Sequence, residues 1–119
     1  MRTASQWLVI VLTLAAPYLA EAQQPKKVPQ VGFLFAISAS TALARVEAFR
    51  QGLRELGYVE GKNIVIEWRY AEGKTDRLSA LAAELVRLKA DIIVTGGATA
   101  TRPTKEATVT IPIVMAQDN

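Results

Sequence analysis

Serine and threonine hydroxyls, glycine backbone and a few carboxylates are the groups in this chain that can meet a small ligand. Two stretches concentrate them. Ile37-Ser38-Ala39-Ser40-Thr41 and Thr95-Gly96-Gly97-Ala98-Thr99 are short and hydroxyl-bearing, and each follows an apolar run and leads toward a helical pattern. A helix start offers free N–H groups and the positive end of the helix dipole. Glycine lets the backbone come close to a ligand. Together such loops can hold a carboxylate, or another small anionic or polar group, without any charged side chain. The competing reading is structural: Ser40 or Thr41 serves as a helix cap and Gly96-Gly97 as a tight turn, roles these residue types favour whatever the function.

What is absent narrows the chemistry further. The chain has no histidine and no cysteine. That removes the Ser-His-Asp arrangement, thiolate nucleophiles, Cys- and His-based metal sites and any disulfide framework. No Gly-x-Gly-x-x-Gly follows the first apolar run, and there is no Walker A motif. No cofactor or metal is expected. Three carboxylates are candidates for a site. Asp91 falls at the amino-terminal end of a strand, and Glu67 points off an edge strand. Asp118, just past the last strand, is placed to meet a ligand such as an ammonium group, with an ordinary solvated loop residue as the alternative. Trp68 and Tyr70 share a face with Ile64 and Ile66, so core packing is expected of them. The net charge of +3 comes from 14 basic and 11 acidic residues that are scattered, apart from Lys26 and Lys27. There is no basic stripe with interleaved aromatics, so no nucleic-acid partner is expected.

The elements that position the two loops follow from hydrophobic periodicity. Val31–Ala36 and Ile92–Thr95 are continuous apolar runs of strand length, buried on both faces. Ile64, Ile66, Trp68 and Tyr70 alternate with Val65, Glu67 and Arg69, which marks a strand with one exposed face, hence an edge strand. Ile111–Ala116 is a fourth strand, with Pro112 acceptable near its start. Val46, Phe49, Leu53 and Leu56 form the stripe of a first helix, Thr41–Leu56, with Gly57 as its left-handed C-cap. A second helix, capped by Thr75 or Asp76, runs to about Lys89. A weaker third spans about Thr101 to Thr108, with Pro103 confined to its first turn.

The alternation β-α-β-α-β-α-β predicts an α/β fold, a Rossmann-like doubly wound parallel sheet. With the half-exposed strand at the edge, the order is 2-1-3-4. Ligands bind such sheets beyond the carboxyl ends of the strands, at the switch point, here between strands 1 and 3. Both hydroxyl-bearing loops fall there.

The first 22 residues read as a cleavable signal peptide. Arg2 supplies the positive region, Leu8–Ala16 the apolar region, Pro17 a break and Ala20-Glu21-Ala22 the cleavage pattern, with the cut before Gln23. No cysteine follows, so no lipid anchor is expected, and the mature chain is expected free in a periplasm. Residues 23–30 form a short polar lead-in, leaving residues 31–119 to fold.

The signal, the strand Val31-Gly32-Phe33-Leu34, and above all the stretch Phe49–Ile64 (Phe-Arg-Gln-Gly-Leu-Arg-Glu-Leu-Gly-Tyr-Val-Glu-Gly-Lys-Asn-Ile) resemble the ABC-transporter substrate-binding family that includes tryptophan/tyrosine-type components. Ala80–Val86, Thr95-Gly96-Gly97 and Ile111–Met115 fit it as well. The resemblance implies a type I periplasmic binding protein, in which two Rossmann-like lobes close on a small solute and present it to a membrane permease. It implies ligand contacts from Ser38, Ser40 and Thr41, from Gly97, Ala98 and Thr99, and from Gln117 and Asp118. It also implies that residues 31–119 are part of the first lobe, with the second lobe still needed for full binding. The expected function is therefore the solute-binding component of an ABC importer for a small, amino-acid-like solute. The alternative is an exported sensing or interaction module for a membrane receptor, since fold does not fix function. An enzyme is not expected.

Overall fold

Strand β1, Gln30–Phe35, is apolar at every position after the first, and Val31–Phe35 is buried throughout. Such a strand needs neighbours on both edges and cover on both faces. The structure, a computed structural model, describes residues 28–116 and supplies both. The proposed signal peptide, most of the lead-in, Gln117 and Asp118 lie outside the described residues. Strands β2 (Val65–Tyr70), β3 (Ile92–Gly96) and β4 (Ile113–Ala116) complete a four-stranded sheet of order β2-β1-β3-β4. Every pairing is parallel, with Phe33 aligned on Trp68 in β2 and on Val94 in β3. The sequence order 2-1-3-4 is the observed one.

Helix α1 (Ala39–Glu55) covers one face of the sheet, and α2 (Leu78–Arg87) and α3 (Ala98–Ala107) cover the other. The alternation of side chains along each strand divides the core accordingly. Val31, Phe33, Phe35, Ile64 and Ile66 meet Ala42 and Val46 of α1, with Phe49, Leu53, Trp68 and Tyr70 packed around them. Leu34 and Ile93 meet Leu78, Ala82 and Leu85 of α2 and Ala100 of α3. Leu34, Leu85 and Ile93 are fully buried, and each contributes about 2 kcal/mol by leaving water. Gly32 is what lets Leu85 sit so close: a Cβ there would lie 3.1 Å from both Leu85 methyls.

Helix α1 ends as its sequence foretells. Gly57 takes φ of 90°, its N–H donates to Arg54 O at 3.0 Å, and the Tyr58 N–H donates to Leu53 O at 2.8 Å. These two bonds are a Schellman motif, which satisfies carbonyls the helix leaves open. The second helix begins differently from expectation. Thr75–Arg77 form a 3₁₀ turn, and α2 starts at Leu78 with no side-chain cap from Thr75 or Asp76. The third helix begins three residues earlier than expected, at Ala98, so Pro103 sits in its interior rather than its first turn. That proline removes the bond to Thr99 O. The fully buried Ala100 and Thr104 anchor the helix across this gap, and Thr104 Oγ1 donates to Ala100 O at 2.8 Å.

The face of β2 expected to be open is half covered. Arg69 reaches Glu84 of α2 at 2.8 Å and Glu67 at 3.3 Å, and Val65, Glu67 and Arg69 are all only partly exposed. On the opposite face Trp68 and Tyr70 pack against the core, as expected. There Arg50 of α1 lies 4.8 Å above the Trp68 ring and bonds Glu60 at 3.1 Å and Glu47 at 3.0 Å. The Trp68 indole N–H donates to Glu60 at 3.2 Å. Hydrogen bonding from Arg50, helped by Trp68 and opposed by partial burial, holds the Glu60 carboxyl below its ordinary 4.5. A depressed folded-state pKa contributes stability above the unfolded value and loses it as pH falls through the folded one. Solvent access keeps the effect small. Thermal unfolding followed from neutral pH into acid is therefore expected to show a steeper decline for the wild type than for Glu60→Gln, with the two converging at the acid end.

Candidate functional site

Phe35 and Gly96 are register partners at the carboxyl ends of β1 and β3. The chains leaving these two strands thus begin side by side, one strand spacing apart. This is the switch point of the sheet, since β1 leads through α1 to β2 on one side while β3 flanks it on the other.

The first loop is short and held by its neighbours. Phe35 O accepts from Ala71 N–H at 2.8 Å, and Ala36 O accepts from Gly73 N–H at 2.7 Å. The β2–α2 loop thereby pins the start of the β1–α1 loop. Ser38 then caps α1, with φ of −80° and ψ of 159°, and its Oγ accepts from Thr41 N–H at 3.3 Å. The cap is Ser38, not Ser40 or Thr41, because only Ser38 has the extended backbone a cap requires. All three hydroxyls nevertheless gather: Ser38 Oγ lies 3.1 Å from Ser40 Oγ and 2.9 Å from Thr41 Oγ1. Ser40 and Thr41 are exposed.

The second loop is a single residue. Gly97 has φ of 94° and ψ of 176°, a region essentially reserved for glycine. Helix α3 starts immediately after it, and no side chain among the described residues caps it. It begins after the end of β3, the strand next to the one that leads to α1, with Ala98 and Thr99 exposed. Thr101 secures the turn from below by donating its hydroxyl to Gly97 O at 2.7 Å. With that proton committed, the buried Thr95 hydroxyl, 2.6 Å away, donates to Thr101.

The structure therefore brings Ser38, Ser40, Thr41, Gly97, Ala98 and Thr99 to adjacent strand ends, while Gln117 and Asp118 lie outside the described residues. Asp91 sits at the opposite end of the sheet, where its carboxylate accepts from Gln30 N–H at 2.8 Å. Residue-type reasoning overlooked Phe35, and read Gly96 as part of a loop or tight turn rather than as the residue that makes room for the Phe35 ring. The signal for them was present: a glycine ending β3 in register with an aromatic ending β1. No three His, Cys, Asp or Glu side chains gather into a metal-holding group among the described residues. An open groove of about 460 Å³ lies elsewhere, between α3 and β4, lined by Thr101, Lys105, Val109, Ile113 and Met115 among others.

Ser38→Ala separates capping from contact. Loss of the cap alone is expected to cost about 1 kcal/mol, read as a lowered midpoint in denaturant, whereas Ser40→Ala is expected to leave stability nearly unchanged because Ser40 caps nothing.

The parallel sheet thus places two helix starts after neighbouring strand ends at its switch point, the position where ligands bind in open α/β sheets. A family model, ABC transporter substrate binding protein, matches residues 30–118, and the chain belongs to that family. No curated protein matches it. Among solved structures, a conserved domain protein from Vibrio cholerae O1 biovar El Tor aligns with a TM-score of 0.71 at 26% identity, over 78% of this chain and 32% of that one. A ligand-free, open substrate binding protein with adhesive properties from Clostridium difficile aligns at 0.69 and 22% identity, over 77% and 32%. An ABC domain in complex with L-Trp from Streptococcus pneumoniae aligns at 0.70 and 22%, over 78% and 32%. The latter two share the fold. The chain spans about a third of the length of these solved relatives.

Proposed function

We propose that this chain is the first-lobe portion of an exported solute-binding component of an ABC importer, taking a small amino-acid-like solute and presenting it to a membrane permease. The observation that carries the reading is that the start of α3, with no side-chain cap among the described residues, and the Ser38, Ser40 and Thr41 hydroxyls follow the ends of neighbouring strands. Backbone N–H groups at a helix start suit a carboxylate, and hydroxyls both donate and accept. In this reading Ser38, Ser40, Thr41, Gly97, Ala98 and Thr99 contact the solute's acid end, and Gln117 and Asp118 its amino end. Residues 1–22 are the export signal, residues 23–30 the lead-in, and the mature protein works in the periplasm without a lipid anchor. A second lobe completes the enclosure.

Family membership and the L-Trp-bound relative support the solute class. The test is calorimetric titration and thermal shift of the mature protein with L-tryptophan, L-tyrosine and a panel of other amino acids. Saturable binding that weakens in Thr99→Pro, which blocks a first-turn N–H, is the expected result. No response to any of these solutes, in a form long enough to carry both lobes, would sink it.

A further inference from the structure

Two glycines stand side by side at the end of β3, and they are glycines for different reasons. Gly97 has open space around it but a backbone conformation that side chains do not adopt, with φ of 94°. Gly96 has no such φ, yet a Cβ there would fall within the Phe35 ring. That ring is only 2% exposed and is fixed from three directions. Tyr70 stacks on it with parallel planes at 5.7 Å, Phe33 packs at 4.6 Å, and Gly96 closes the third side. Phe35 is also the last residue of β1, and the peptides that follow it carry Ser38 into its cap.

We propose that Phe35 and Gly96 are a positioning pair that sets the spacing of the two crevice loops. The ring fills the gap between the strand ends. Its size determines where Ala36–Ser38 stands relative to Gly97 and the start of α3, and the missing side chain at position 96 is what admits it. Phe35 is buried and does not itself touch solute. It acts through the loops on either side, so the pair governs which solute size the crevice accepts.

The variant Gly96→Ala tests this directly. Its backbone is compatible with alanine, and the atoms nearest the added methyl all belong to the Phe35 ring. The ring must turn or lift, and protein cores resist such overpacking. Amide hydrogen exchange in the unliganded protein is expected to quicken about tenfold at residues 36–41 and 97–101, while β1 and β3 stay protected. Adding Phe35→Leu, which removes the ring, is expected to restore slow exchange at both loops. Exchange that is unchanged in Gly96→Ala, or raised uniformly over the sheet, or not reversed by the second substitution, overturns the pair. This readout needs no ligand. The size-selection clause rests on the solute-binding reading, and L-tryptophan and L-alanine are its probes. In a wild type that binds one of them, the single variant is expected to weaken binding about tenfold and the double variant to shift preference between the two. Wild-type binding with an unaltered preference in both variants overturns the clause. Absence of wild-type binding condemns the solute reading and leaves the exchange result to decide the pair.

Discussion

Leu85→Ala is expected to cost about 3 kcal/mol, a large share of the domain's stability. Leu85 is fully buried and lies directly over Gly32 in the central strand. Truncating a buried leucine costs its transfer energy plus that of the cavity left behind, about 2 to 5 kcal/mol. The upper part of that range applies where surroundings cannot collapse, and Gly32 has no side chain to fill the space. Domains of this size have total stabilities of only about 5 to 15 kcal/mol. Urea unfolding followed by circular dichroism is the measurement, with the midpoint falling at unchanged slope. A compensating variant sharpens it: Gly32→Ala combined with Leu85→Ala is expected to recover part of the loss, because the new methyl points where the leucine methyls were. If the double variant is no better than the single, the contact across the sheet is not what stabilises this core.

The second large effect concerns association. Residues 23–119 produced by themselves are expected to self-associate through β4. Among the described residues that strand is the last of the sheet, next to β3, and an edge strand is a template for pairing with another chain. Its faces are apolar and open: Val114 is 48% exposed and Met115 42%, and Val109 beside the strand is 99% exposed. Sedimentation is expected to show mass rising with concentration. Val114→Lys, a charge on the strand face of the kind natural edges use against pairing, is expected to shift the population strongly toward monomer. A concentration-independent monomer in the unsubstituted fragment contradicts this account of the edge.

The order of the sheet was readable because one strand differed from the rest. Glu67 and Arg69 alternate with Ile66 and Trp68, and that single half-polar strand put β2 at the rim and β1 in the middle. The apolar runs of β1 and β3 likewise matched two-sided burial. Where reading failed, local and tertiary effects competed. Ser38 was passed over as a cap because Ser40 and Thr41 are just as suitable in type, and only backbone conformation distinguishes them. The start of α3 was missed because Pro103 is a strong local breaker, while the buried contacts of Ala100 and Thr104 that override it are not written in the segment's own pattern. Arg69 was read as solvent-facing, since the sequence does not show that Glu84 on α2 comes to meet it. The two loops were placed by topology, and the pairing of Phe35 with Gly96 emerges only from register.

The amino ends of the strands are stitched together: Gln30 and Asp91 exchange two hydrogen bonds, of 2.8 and 2.7 Å, and Pro29 O accepts from Val65 N–H at 2.9 Å. The chain therefore enters the sheet at the end opposite the crevice, a six-residue strand away, which is about 20 Å. An affinity handle or surface tether fused ahead of Val28 accordingly leaves from the back of the lobe. Immobilised that way on a sensor chip, the protein turns its two helix starts outward to the flowing solute, whereas a tether after Ala116 departs from the crevice end and crowds it.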